Sequence, residues 1–187
     1  MKISEILGSG KGTVSCEVFP PKKAVDLEQV QEVVRQIASY NPAFLSVTYG
    51  AGGGTSQNTV KIAADVQRLG IPALAHLTCV CATKEKIAAV LQELKENHIE
   101  NVLALRGDIP PGMEFPTPRQ YQHACELVRE IKAAGDFCIG AACYPDGHVE
   151  CEHKDDDIGY LKEKVDAGCD FLTTQMFFDN NVLYNFL

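Results

Sequence analysis

Two hydrophobic periods alternate along this chain. Short apolar runs are separated by longer stretches in which apolar side chains return every third or fourth position. The first run, Cys16-Glu17-Val18-Phe19, ends at Pro20 and Pro21, which lack backbone donors and stop a strand. Over 26–39, Leu27, Val30, Val33, Val34 and Ile37 fall at helical spacing between charged and amide residues, which predicts an amphipathic helix. Pro42 breaks it, and 43–48 reads as a buried strand running into the glycine-rich Gly50-Ala51-Gly52-Gly53-Gly54. The alternation then repeats. Helices are predicted over 58–69, 84–97, 118–134 and 156–167, with Gly70, Gly135 and Gly168 as stops for the first, third and fourth. Strands are predicted over 73–78, 102–105, 138–142 and 171–175.

Six strands recurring about every 30 residues with helices between them follow the grammar of a parallel sheet. Near-continuous apolar strands agree with burial on both faces. Two α/β architectures use this grammar, the doubly wound open sheet and the (β/α)8 TIM barrel. The barrel is favoured because a polar group stands near the C-terminal end of each strand: Glu17, Thr48, His76, Asp108, Tyr144 and Gln175. A barrel gathers such ends at one mouth, whereas a doubly wound sheet concentrates them at one switch point. Six βα units are legible where a closed barrel has eight. Residues 1–187 are therefore expected to form a single barrel domain that is incomplete at its C-terminal side, with unpaired edges on the first and sixth strands.

Composition narrows the function classes. With 187 residues and 45% hydrophobic content, the chain can bury one substantial core. A net charge of -8, from 17 basic and 25 acidic residues, argues against nucleic acid or an anionic membrane as partner. The N-terminus carries no apolar signal core, and a cytoplasmic protein is expected. Eight cysteines are scattered, several within apolar runs, and read as reduced, mostly buried thiols. Cys143, His148, Cys151 and His153 mimic a metal cluster, but they contain no Cys-x-x-Cys pair and match none of the usual spacings, so no metal is expected.

The candidate chemistry centres on Glu17. A carboxylate inside an apolar run must be paired, hydrogen-bonded or protonated, because an isolated charge is very unfavourable out of water. His76 reads either as a satisfied core histidine or as a site residue, and Lys164 either as a phosphate contact or as a solvated surface lysine. The run 50–54 matches neither the dinucleotide fingerprint nor the P-loop. Gly107 would let backbone approach a flat ring system, and Tyr144 to His148 forms a rigid turn with two aromatic groups able to stack on one.

Six collinear motifs carry a resemblance. Glu17-Val18-Phe19-Pro20-Pro21, Ser46-Val47-Thr48-Tyr49-Gly50-Ala51, His76-Leu77-Thr78-Cys79, Leu105-Arg106-Gly107-Asp108, Ala142-Cys143-Tyr144-Pro145 with His148, and Thr174-Gln175-Met176-Phe177-Phe178-Asp179 resemble methylenetetrahydrofolate reductase. That resemblance implies a flavoprotein barrel that passes a hydride from NADH or NADPH to FAD and then to 5,10-methylenetetrahydrofolate, with ping-pong kinetics, in one-carbon and methionine metabolism. It implies that Glu17 is the general acid that protonates N10 of the folate, and that Asp108 acts beside both flavin and pterin. It implies folate contacts from Gln175, Asp108 and Thr48. The FAD would be lined by Thr48, Tyr49, Ala51, His76, Arg106, Gly107, Asp108, Ala124, Tyr144, His148, Asp157 and Lys164. A homo-oligomer is expected. The alternative is a non-catalytic flavin- or folate-binding barrel fragment that acts with another chain.

Overall fold

The computed structural model describes residues 1–21, 26–49, 56–80 and 82–187, without the side chains of Ser56 and Gln57. Six strands, β1 (Cys16–Val18), β2 (Leu45–Val47), β3 (Ala73–Thr78), β4 (Asn101–Leu105), β5 (Cys138–Cys143) and β6 (Phe171–Thr174), form one sheet. They pair in chain order, β1-β2-β3-β4-β5-β6, and every pairing is parallel. A doubly wound sheet would reverse its order at a switch point. Unbroken order makes this a singly wound sheet, curled as part of a (β/α)8 barrel.

Helices α2 (Leu27–Ala38), α3 (Ser56–Arg68), α4 (Lys84–Glu96) and α5 (Ala124–Ala134) lie against the outer face. Val34, Val60, Ile62, Ile87, Leu91, Leu127 and Ile131 meet Val47, Ala75, Leu77, Val102 and Ile139 there. The α2 stripe is narrower than expected, since Val33 is exposed. Thr83 caps α4 by accepting the Lys86 N–H at 3.2 Å. The sequence predicts α5 from residue 118, but it starts at Ala124. The Glu126 carboxylate accepts the N–H groups of Gln122 and His123 at 2.6 and 2.9 Å, which fixes the start there. Residues 117–120 are instead closed as a turn by Gln120, whose Oε1 accepts from the Thr117 N–H and hydroxyl, both at 3.0 Å.

The inner face holds a second apolar cluster, Ile3, Leu74, Leu103 and Cys138, with Phe44, Leu105 and Phe171 packed on it. Gly140 makes room for Phe171: a Cβ on Gly140 would lie 2.5 Å from the ring. Ile3 belongs to α1 (Ile3–Leu7), a helix the hydrophobic pattern did not predict, which plugs the sheet from the N-terminal side. Asn101, 2% exposed, ties this plug down. Its Oδ1 accepts the Ile3 N–H at 2.8 Å, and its Nδ2 donates to the carbonyls of Met1 and Ala73, both at 3.2 Å.

The C-terminal elements are much less covered. α6 (Lys154–Asp166) and α7 (Asn180–Phe186) bury no residue, and β6 pairs on one side with β5. Among the described residues, no helix is long and apolar enough to cross a membrane.

Asn101→Ala would leave the Ile3 N–H and the Ala73 carbonyl without their partner, which costs about 2 kcal/mol. Urea denaturation of wild type and variant should show that loss. A difference below about 0.5 kcal/mol, within the usual range for surface changes, would mean that the plug is not held by Asn101.

Candidate active site

β1 and β2 pair with Glu17 opposite Ser46. Both side chains meet His76 from β3: Ser46 Oγ lies 2.6 Å from His76 Nε2 and 3.3 Å from Glu17 Oε2, and the Glu17 and His76 atoms are 3.4 Å apart. Ser46 and His76 are 7% and 8% exposed. Burial pulls the His76 pKa down to about 4, so the ring is neutral at neutral pH and its 3.4 Å approach to Glu17 is not an ion pair.

Glu17 itself departs from expectation. Its side chain is 45% exposed, because β1 is the edge strand and its inner face looks across the open side of the curl. Ser46 and His76 approach this carboxylate on one side while solvent reaches it on the other. Glu17 is also the central residue of a three-residue strand, and His76 stands two residues before the end of β3. Thr48, Tyr144 and Gln175 each follow directly on their strands, and Asp108 comes three residues after β4.

A second group gathers beyond β4 and β5. Gly107 has φ +85, a left-handed conformation, and a Cβ there would meet Thr78 at 3.1 Å. Arg106 makes a two-pronged ion pair with Glu150 at 2.5 and 2.7 Å. That pair holds the Arg106 pKa up and the Glu150 carboxyl below its usual range. The Tyr144 and His148 rings meet edge-on, 4.8 Å between centroids. Burial, then the Asp108 charge, raises the Tyr144 hydroxyl pKa. His148 Nδ1 accepts the Glu150 N–H at 3.2 Å, so any ring proton of the neutral form is on Nε2. Asp157 accepts the His148 N–H at 3.0 Å. Lys164 donates to the Ala142 carbonyl at 2.6 Å, and burial lowers its pKa despite the opposing charge of Asp157.

The remaining predicted positions are less closely tied to these groups. Gln175 donates its N–H to the Cys143 carbonyl at 2.8 Å and accepts the Met176 N–H on Oε1 at 2.9 Å, which leaves its amide NH2 outside both bonds. Thr48 bonds through its backbone, its N–H to Val18 and its carbonyl to the Thr59 hydroxyl. Ala124 opens α5 and Tyr49 packs on the outer core. Ala51 and the rest of 50–54 lie outside the described residues, as does Cys81.

Burial raises the pKa of Cys79, to about 12, and of Cys143 and Cys169, so these are inert thiols. Cys79, Cys143 and Cys169 are all free. Among the described residues, no three His, Cys, Asp or Glu side chains gather as a metal site.

Sequence reasoning gave no role to Ser46 or Glu150. Ser46 could have been found, since strand parity places it beside Glu17. Nothing local to Glu150 points to Arg106.

An in-order parallel sheet with an acid, a hydroxyl and an imidazole on its inner face, and cations and aromatics beyond its C-terminal ends, is the layout of a (β/α)8-type barrel with a polar mouth. A family model described as methylenetetrahydrofolate reductase matches residues 2–187, and the chain belongs to that family. It is 38% identical over 200 residues to maize (Zea mays) "Methylenetetrahydrofolate reductase (NADH) 1", covering all of this chain and 34% of the relative. It is 37% identical over 171 residues to Escherichia coli (strain K12) 5,10-methylenetetrahydrofolate reductase, covering 91% of this chain and 56% of that protein. The chain thus spans about a third of the plant relative and just over half of the bacterial one. Among solved structures, 2,3-dimethylmalate lyase shares the fold with a TM-score of 0.68 at 11% identity, over 99% of this chain and 66% of the other. A Clostridium thermocellum protein described as binding two copies of 5-methyl-5,6,7,8-tetrahydrofolic acid gives 0.62 at 14% identity, over 100% and 62%.

Two predictions follow from these contacts. The neutral His76 binds no proton until about pH 4, whereas the unfolded ring binds one near the ordinary imidazole value of 6.5. Stability is therefore complete above pH 6.5 and falls as pH drops toward 4, by about 3 kcal/mol. Urea denaturation at pH 7 and pH 4.5 should show this loss in wild type and a correspondingly smaller one in His76→Gln; equal losses would remove His76 as the cause. Glu150→Gln releases Arg106 from a partly exposed pair; if Arg106 meets FAD, as the sequence resemblance implies, FAD affinity should rise about two- to fivefold in a fluorescence titration. Unchanged affinity would mean that Arg106 does not meet the cofactor.

Proposed function

We propose that this chain is the barrel of a cytoplasmic methylenetetrahydrofolate reductase, which reduces 5,10-methylenetetrahydrofolate to 5-methyltetrahydrofolate with bound FAD. Family membership and the Glu17–Ser46–His76 group on the inner face carry this reading. The name of the maize relative favours NADH as hydride donor. The folate-binding fold neighbour agrees with a folate substrate.

The residues beyond β4 and β5 suit a flavin dinucleotide. Arg106 and Lys164 offer positive charge for a pyrophosphate, Tyr144 and His148 offer aromatic edges, and left-handed Gly107 offers backbone without a side chain. Binding would exchange partners, since Arg106 is held by Glu150. FAD, when bound, supplies hydride transfer between the nicotinamide and the folate.

The chain's own contribution is acid–base chemistry and positioning. Glu17, reached by solvent on one side and held by Ser46 on the other, gives a proton to N10 of the folate in this reading, which opens the five-membered ring toward hydride acceptance. Such an acid contributes about a hundred- to ten-thousand-fold. Asp108, exposed beyond β4, sets a negative charge beside the developing cation. The Gln175 amide and Thr48 orient the substrate. Nicotinamide and folate using one site in turn gives ping-pong kinetics.

One observation favours a second reading, a non-catalytic flavin- or folate-binding barrel fragment that acts with another chain. α6 and α7 bury nothing, and among the described residues β6 pairs on one side only. Size-exclusion chromatography with flavin titration separates the two: an oligomer that binds flavin without turnover supports the second.

Glu17→Gln should keep reduction of the flavin by NADH while slowing folate reduction at least about a hundredfold, read by anaerobic stopped-flow absorbance. Equal loss in both half-reactions would make Glu17 structural.

A further inference from the structure

Glu17, Ser46 and His76 come from three adjacent strands and meet through Oε2, Oγ and Nε2. A hydroxyl has one proton to give and accepts on its other side, and a neutral imidazole donates from one nitrogen and accepts on the other. Those limits allow two arrangements of the chain. When Glu17 is ionised, Oε2 can only accept, so Ser46 donates to it and must accept from His76; the ring proton is then on Nε2. When Glu17 is protonated, its O–H donates to Ser46, Ser46 donates to Nε2, and the ring proton is on Nδ1. Each arrangement satisfies the three atoms. A fixed cation at Ser46's place would suit the carboxylate alone.

We propose that Ser46 and His76 are positioning residues for the acid, forming a reversible hydrogen-bond chain in which the His76 tautomer follows the protonation state of Glu17. This rests on the reading of Glu17 as the proton donor. An acid that yields and regains one proton per turnover must be held equally well in both states, and the chain holds Oε2 in both while Oε1 takes no part in it. The ring has to stay neutral throughout. β2 presents Ser46 to it and β4 the apolar Leu103 in register, so among the described residues Glu17 is the ionisable group that meets it. The proton balance closes along the chain itself: as the acid ionises, the Oε2 proton passes to Ser46, the Ser46 proton passes to His76 Nε2, and Nδ1 releases one, so a single proton leaves the group and the reverse path restores it.

The test is nitrogen-15 NMR of histidine-labelled, flavin-loaded full-length protein, with His76 assigned by its loss in His76→Gln. As carbon-13 NMR shows the Glu17 carboxyl losing its proton, the His76 signals should pass from the Nδ1–H to the Nε2–H tautomer, separately from the imidazolium that forms near pH 4. In Ser46→Ala that passage should vanish, and Ser46→Thr, which keeps the hydroxyl, should restore it. The folate half-reaction of Ser46→Ala should fall about ten- to a hundredfold relative to flavin reduction, with the larger share in kcat. A His76 tautomer that ignores pH in wild type, or an imidazolium that forms in step with Glu17, overturns the proposal. If Glu17→Gln spares folate reduction, the acid reading itself fails. If Glu17→Gln disables it while Ser46→Ala leaves both the tautomer passage and the ratio of half-reactions intact, only the chain fails.

Discussion

In a parallel sheet paired in register, no side chain chooses its face independently of its neighbours. The pleat alternates strictly, and a slip of one residue would turn every inward group outward. Here that constraint places Glu17 beside Ser46 and brings His76 to both, while their chain neighbours Val18, Val47 and Ala75 point the other way and join the outer core. The apolar contacts of Val47, Ala75 and Leu77 with the helices thus fix where the polar trio points. The site is a by-product of which residues had to be outside.

A different principle governs the groups beyond β4 and β5. Their charges already have partners within the chain: Arg106 with Glu150, Asp157 with the His148 N–H, Lys164 with the Ala142 carbonyl. A ligand that arrives there competes with internal bonds, and its net gain is the difference between the two sets. The two regions also differ in solvation. His76 sits where water is nearly excluded and is neutral as a result, whereas Arg106 and Glu150 remain open enough for water to weaken their attraction.

Strand order and helix placement were legible because both leave a periodic trace in one dimension. Gly70, Gly135 and Gly168 close the helices as read, and the run from Ala73 to Thr78 is a strand over its whole predicted length. Where the reading failed, a non-local or side-chain-specific contact decided. The start at Ala124 depends on the Glu126 carboxylate, and α1 exists because Asn101, far along the chain, accepts the Ile3 N–H. Glu17 was read as a buried carboxylate because hydropathy registers the apolar company of a residue and not its place at a sheet edge. The Arg106–Glu150 pair joins two loops, and no local pattern announces such a meeting.

The N-terminal plug bears on how the protein is made. Ile3 is bonded to Asn101 across 98 positions, and Ser4 meets Cys138 across 134. On a ribosome the first helix therefore emerges long before its receptor exists, and it must wait, unpaired, until β4 and β5 have been synthesised. Closure of this sheet's floor is a late event in translation, although it uses the earliest residues.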